Sequence, residues 1–157
     1  MTMNKLGMYF VALLLAAIAP LQTLAAEDAK TAIENLLNTY QERLSNDDLD
    51  GILDLYSANP VFIPEYAPPA VGRDSVRKAY EWVFATLKLG GHFAFHDVEV
   101  IGSTAWVRTT STGHVRVLAT GAEGDVANSE LFVLKLEGGA WKMHRYTFTS
   151  SAPPGQR

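Results

Sequence analysis

The spacing of apolar residues changes once along this chain, near His92, and that change limits the folds open to it. Upstream, apolar side chains recur three and four residues apart; downstream, they alternate every second residue. Helices grouped ahead of a run of long strands argue for an α+β fold. The upstream part predicts a helix over 27–44, with Ile33, Leu36, Leu37, Tyr40 and Leu44 on one apolar face. Ser45 to Asp48 stops it and, with capping-box spacing, starts a second helix to about Ser57, with Leu49, Ile52, Leu53 and Tyr56 turned inward. Pro60 ends that helix, 61–63 reads as a short strand, and the proline-rich stretch 64–72 reads as a loop. Asp74 is expected to cap a third helix carrying Val76, Ala79, Tyr80, Val83, Phe84 and Leu87, closed by Gly90 and Gly91.

Four strands follow, at about 92–101, 104–118, 126–136 and 141–149, with turn residues at Gly102-Ser103 and Glu137 to Gly139. The expected architecture is a cone: a curved antiparallel sheet packed on three N-terminal helices, occupying residues 26–150. On the middle strand, Trp106, Arg108, Thr110 and Thr112 share one face. They are expected to line the interior. Glu130 shares a face with the apolar Phe132 and Leu134, so it is expected inside as well. If Arg108 and Glu130 both face inward, each needs the other, because an unpaired buried charge is costly. His144 shares alternation with Tyr146 and Phe148 and is expected toward the same interior. Met143, with Trp141 and Val133, is then expected outside, as an apolar patch that pairs two copies into a homodimer.

Residues 1–25 read as a secretory signal peptide: Lys5, an apolar run from Leu6 to Ala19, then small residues near Ala25. The run is shorter than the ~20 residues of a spanning helix. The expectation is therefore a secreted or periplasmic protein, free of the membrane once the leader is removed. Residues 151–157, bearing prolines and a glycine, read as a loose tail.

Composition excludes several functions. A net charge of −4 without any Lys/Arg cluster argues against nucleic acid. With no cysteine, disulfides, thiolate chemistry and cysteine metal sites are out. His92 and His96 share a strand face ~13 Å apart, too far to hold one ion, and no metal is expected. No nucleotide, nicotinamide or serine-hydrolase fingerprint is present, and no cofactor is implied.

Three stretches, Tyr40 to Tyr56, Val71 to Tyr80, and Asn128 to Lys135 with Trp141 to Tyr146, resemble the SnoaL-like group of the nuclear transport factor 2-like superfamily, which includes the ketosteroid isomerases. The resemblance implies a cone with a pocket, and often a homodimer. It implies no single activity, since this superfamily hosts isomerases, cyclases, dehydratases and binding domains. By that resemblance Tyr40 falls where the isomerases place an oxyanion-hole tyrosine, and Glu130 near their protonated acid. The position of their base reads as Pro64, which cannot take a proton.

Tyr56, Phe62, Tyr80, Phe84, Trp106, Phe132, Tyr146 and Phe148 all fall on expected inner faces, with Arg108 and His144 as polar additions. They describe either a filled core or a pocket for a small, largely apolar molecule. The leading expectation is a small-molecule-binding domain, with or without chemistry. Its rivals are an isomerase- or dehydratase-like enzyme using Tyr40 and Glu130 on an enolisable carbonyl compound, and an interaction module whose cone is filled.

Overall fold

The computed structural model of the chain describes residues 18–151. The expected leader lies outside the described residues over 1–17, and the expected tail over 152–157. Helix α1 spans Ile18–Ser45 and begins ahead of Glu27, within the stretch read as leader. Helix α2 spans Leu49–Leu55, strand β1 Tyr56–Ile63, β2 Ala70–Val71, and helix α3 Arg73–Thr86. Four long strands follow: β3 Leu87–Ile101, β4 Thr104–Val117, β5 Glu123–Glu137 and β6 Ala140–Ser150. Among the described residues no helix is long and apolar enough to cross a membrane.

The six strands form one curved, unclosed sheet in the order β2-β1-β6-β5-β4-β3. The four long strands are antiparallel neighbours, as expected. β1 joins them parallel to β6, so a strand from the helical half completes the wall. The core sits between the helices and the concave face. Ile33, Leu37 and Tyr40 of α1, Ile52 and Leu53 of α2, and Val76 and Tyr80 of α3 are buried against Val107, Phe132, Leu134 and Met143. This is the helical spacing of the sequence meeting the alternation of the strands.

Several boundaries move for local reasons. α2 ends at Leu55, and Tyr56 opens β1 instead of closing the helix. Asp48 caps α2 by accepting from the Gly51 N–H, and Ser45 instead belongs to the last turn of α1. Gly72 occupies the N-cap of α3, which places Asp74 in the first turn, where a carboxylate suits the positive end of the helix dipole. Gly90 and Gly91 do not close α3. They lie inside β3, opposite His114 and Gly113. The two strands approach too closely there for side chains: a Cβ at Gly113 would collide with the Gly90 carbonyl oxygen, and one at Gly91 would sit 2.7 Å from the Thr112 carbonyl oxygen.

This crossing predicts a sharp asymmetry between glycines. Gly113→Ala should destabilise by about 1–3 kcal/mol through overpacking. Gly124→Ala, where a Cβ meets nothing within 4 Å, should be neutral or slightly stabilising. Thermal melts of the two variants check this.

Candidate functional site

The concave face and the helices enclose a cavity of about 900 Å³. Its apolar wall comes from α1, α3 and the inner faces of the strands, and its mouth from the 64–69 loop, the end of α3 and the β4–β5 hairpin. Tyr40, Phe62, Tyr80, Glu130, Tyr146 and Phe148 all line it. Three other residues named from sequence stand behind this wall. Phe132 is fully buried beneath Tyr146, ring to ring at 4.3 Å. Tyr56 lies in the core, and Phe84 packs on Tyr80 at 6.1 Å.

Three tyrosines form one hydrogen-bonded chain. The Tyr80 hydroxyl lies 2.9 Å from that of Tyr56 and 2.9 Å from that of Tyr40, and the Tyr146 ring packs edge-on against Tyr40 at 5.7 Å. Burial pushes all four phenols above their ordinary pKa, so they stay protonated at neutral pH. Among the described residues the Tyr56 hydroxyl has no hydrogen-bond partner but Tyr80, and Tyr56 does not touch the cavity. Its proton therefore points to Tyr80, because an unused O–H in the core is costly. Three hydroxyl protons then serve two links. The proton left over belongs to Tyr80 or Tyr40, both of which line the cavity.

Glu130 supplies the other polar group of the floor. It faces inward as expected and is 3% exposed. Thr109 Oγ1 donates to its Oε2 at 2.7 Å, Ser111 Oγ donates to its Oε1, and Asn128 Nδ2 donates to Ser111 Oγ at 3.3 Å. Burial raises the carboxyl's pKa, and the hydroxyls of Ser111 and Thr109 partly offset that.

Trp106 and Arg108 point the other way. Ala105, Val107 and Thr109 are the buried residues of β4, so the opposite parity faces outward. There the Trp106 indole donates to Glu99 at 3.0 Å, and Arg108 pairs with Asp97 at 2.5 Å. The expected Arg108–Glu130 pair does not exist, because the two side chains lie on opposite sides of the sheet. The inner side of β4 carries Ala105, Val107 and Thr109, and the indole lies on the outer face beside Glu99.

β6 corrects a second parity. A bulge, where Val133 and Leu134 pair Arg145 and Met143, puts Met143 and Trp141 inside with Tyr146. The patch expected to pair two copies thus loses Met143 and Trp141 to the core. His144 is turned from the cavity to Ser57 Oγ at 2.9 Å. Burial, with Arg145 and Lys135 nearby, lowers its pKa.

Sequence reasoning missed Thr109 and Ser111, which hold Glu130, because the wrong face of β4 was assigned inward, and it missed Asn128, which shares the inward parity of Glu130 on β5. It also missed Glu65. That residue lies past the end of β1, where strand alternation no longer governs, and its carboxylate lines the cavity while accepting from the Ser150 N–H at 3.0 Å. Among the described residues no three His, Asp or Glu side chains converge to hold a metal ion.

Two predictions follow from this floor. Tyr80→Phe strands the Tyr56 hydroxyl and should cost about 1–3 kcal/mol, read by urea denaturation. Glu130 is more easily protonated folded than unfolded, so the folded state binds more protons. Its unfavourable contribution is full above the raised folded pKa and fades as pH falls to the ordinary carboxylate value. The melting temperature of Glu130→Gln should therefore exceed that of the native chain at neutral pH, with the gap closing as pH falls through that window.

The profile of the SnoaL-like domain family matches residues 37–144. Among solved structures, a ketosteroid isomerase-like protein from Erwinia carotovora atroseptica superposes with a TM-score of 0.75 at 26% identity, over 79% of this chain and 97% of that one. A scytalone dehydratase candidate from Novosphingobium aromaticivorans gives 0.71 at 18% identity, over 78% and 83%. A nuclear transport factor 2-like protein with a cystatin-like fold, from the same species, gives 0.66 at 17% identity, over 90% and 92%. The last two likenesses speak to the fold alone. No curated protein sequence gives a significant match.

Proposed function

This chain belongs to the SnoaL-like domain family, and from that premise we propose that its cone binds a small, largely apolar molecule whose polar end reaches Tyr40, Tyr146 and Glu130. One observation carries the reading: a 900 Å³ cavity with an apolar wall and a floor that holds an uncommitted hydroxyl proton beside a buried carboxyl. Sites for small ligands combine a greasy wall with a few convergent polar groups in this way. An acceptor oxygen on the ligand would take the proton that the tyrosine chain cannot use. In this reading the protein works outside the cytoplasm after losing residues 1–25.

The same uncommitted donor favours a second reading, an isomerase- or dehydratase-like enzyme. A hydroxyl held in a dry site and aimed at a carbonyl oxygen stabilises the enolate that forms when an α-proton leaves. Pro64 cannot remove that proton, so binding without chemistry stands first.

Both readings meet in one experiment. Calorimetry with naphthylethanol should show saturable binding, and its absence would overturn the ligand site. An enolisable aryl ketone in deuterated buffer, followed by NMR, should keep its α-hydrogens if the domain only binds. Exchange that Tyr40→Phe and Glu130→Gln both abolish would establish the enzyme instead.

A further inference from the structure

The buried carboxyl of Glu130 has hydrogen-bond donors but no counter-charge. Its donors are the neutral hydroxyls of Thr109 and Ser111. The ion pairs of the described residues leave it out: Arg108, the cation expected to serve it, is committed to Asp97 across the sheet. A carboxylate in that position is short of the partner that buried charges normally require.

The rest of the cavity repeats the sign. Two charged side chains, Glu65 and Glu130, line it from the inner side, and both are acids; Glu123 and Asp125 reach its rim on the outer parity of β5. The cations at the rim serve these outer acids and not the floor. Arg116 reaches Glu123 at 3.7 Å, and His114 lies 3.2 Å from Asp125 and 3.5 Å from Glu123. Asp125 raises the pKa of His114 first, with Glu123 second. These two cations answer the two mouth acids. No cation of the described residues answers Glu130.

The neutral part of the wall also suits a positive charge. Tyr40, Phe62, Tyr146 and Phe148 line the cavity, and Tyr146 and Tyr40 lie close enough to Glu130 to feel its field. Ring faces attract ammonium groups, most strongly where water is excluded. At the mouth two further aromatics line the opening while standing largely in solvent, Tyr66 at 81% and Trp82 at 64% exposure. A bare metal ion would need several converging ligands, which the described residues lack, whereas an amine needs one carboxylate and a ring face.

We infer that the ligand of this cone carries a cationic amine beside its acceptor oxygen, and that Glu130 is the amine's counter-ion. The inference rests on the cone being a ligand site and adds the charge class of the ligand. An acid of the same shape is rejected, because it would meet the carboxyl of Glu130 and no lining cation.

Three probes of one shape test it: naphthylethylamine, naphthylethanol and naphthylacetate, titrated calorimetrically into the full chain at neutral pH. The amine should bind about tenfold more tightly than the alcohol, the margin of a charge-assisted hydrogen bond over a neutral one. The acetate should bind most weakly. Glu130→Gln should erase the preference, bringing amine and alcohol to the same affinity as each other, and Glu130→Asp should retain it. Far-ultraviolet circular dichroism verifies that both variants fold, and the native comparison of amine with alcohol needs no variant. If the alcohol binds and the amine binds no better, this inference falls while the ligand site stands. It falls equally if the amine preference survives in a folded Glu130→Gln. If none of the three binds, the ligand site falls and takes the inference with it.

Discussion

The hydroxyl of Tyr80 is the junction on which the interior depends. It links Tyr56 at the start of β1 to Tyr40 in α1, and so ties a helix, a strand and α3 together at one buried point. Each of these hydroxyls would cost about 1–3 kcal/mol if left without a partner, so no one element can shift alone. The rings extend that constraint. Phe62 stacks on Tyr80 at 5.2 Å and on Tyr146 at 5.3 Å, and Tyr146 stacks on Phe132 at 4.3 Å. A wall of stacked rings pinned by hydroxyls does not collapse into the space beside it. The polar links keep the cone open where an all-aliphatic core would close up.

The long strands supply the other half of the container. β3 and β4 run on past the helices, and their inner faces carry Leu87, Leu89, Val115 and Val117 toward the mouth. They can curve together because Gly91 and Gly113 let the two backbones approach without side chains between them. Depth therefore orders the chemistry. Hydroxyls and Glu130 lie at the floor, the apolar wall lies above them, and paired charges with exposed aromatics mark the opening.

Much of this was legible in the sequence, and the failures share one cause. Tyr40, Tyr80 and Val76 could be placed from helical spacing because each helix buries one continuous stripe. Glu130 could be placed because Phe132 and Leu134 share its parity, and two large apolar residues outvote one acid. β4 misleads because its largest apolar residue, Trp106, sits on the outer face, while the inner parity holds Ala105, Val107 and Thr109. With the largest side chain of the strand on its outer face, size points the wrong way. β6 misleads differently: a bulge near His144 reverses parity midway, and no residue type in Lys142 to Arg145 announces it. Hydroxyl pairing across elements distant in sequence was also invisible: Tyr80 read only as an inner-face aromatic, and the resemblance that gave Tyr40 a donor role named no protein partner for it.

The parity of β4 decides the chemistry of the floor. With Arg108 inside, the floor would have been an ion pair, neutral overall and complete without a ligand. With Arg108 outside, the same acid sits among hydroxyls that can orient around a charge but cannot cancel it. Replacing a cation by neutral donors is what turns a structural pair into a group with unmet electrostatic demand. The tyrosine chain is short by the opposite count, one proton in excess of its acceptors. A floor with one donor too many and one charge unanswered is not self-satisfied, and native interiors seldom leave both kinds of group open without something to meet them.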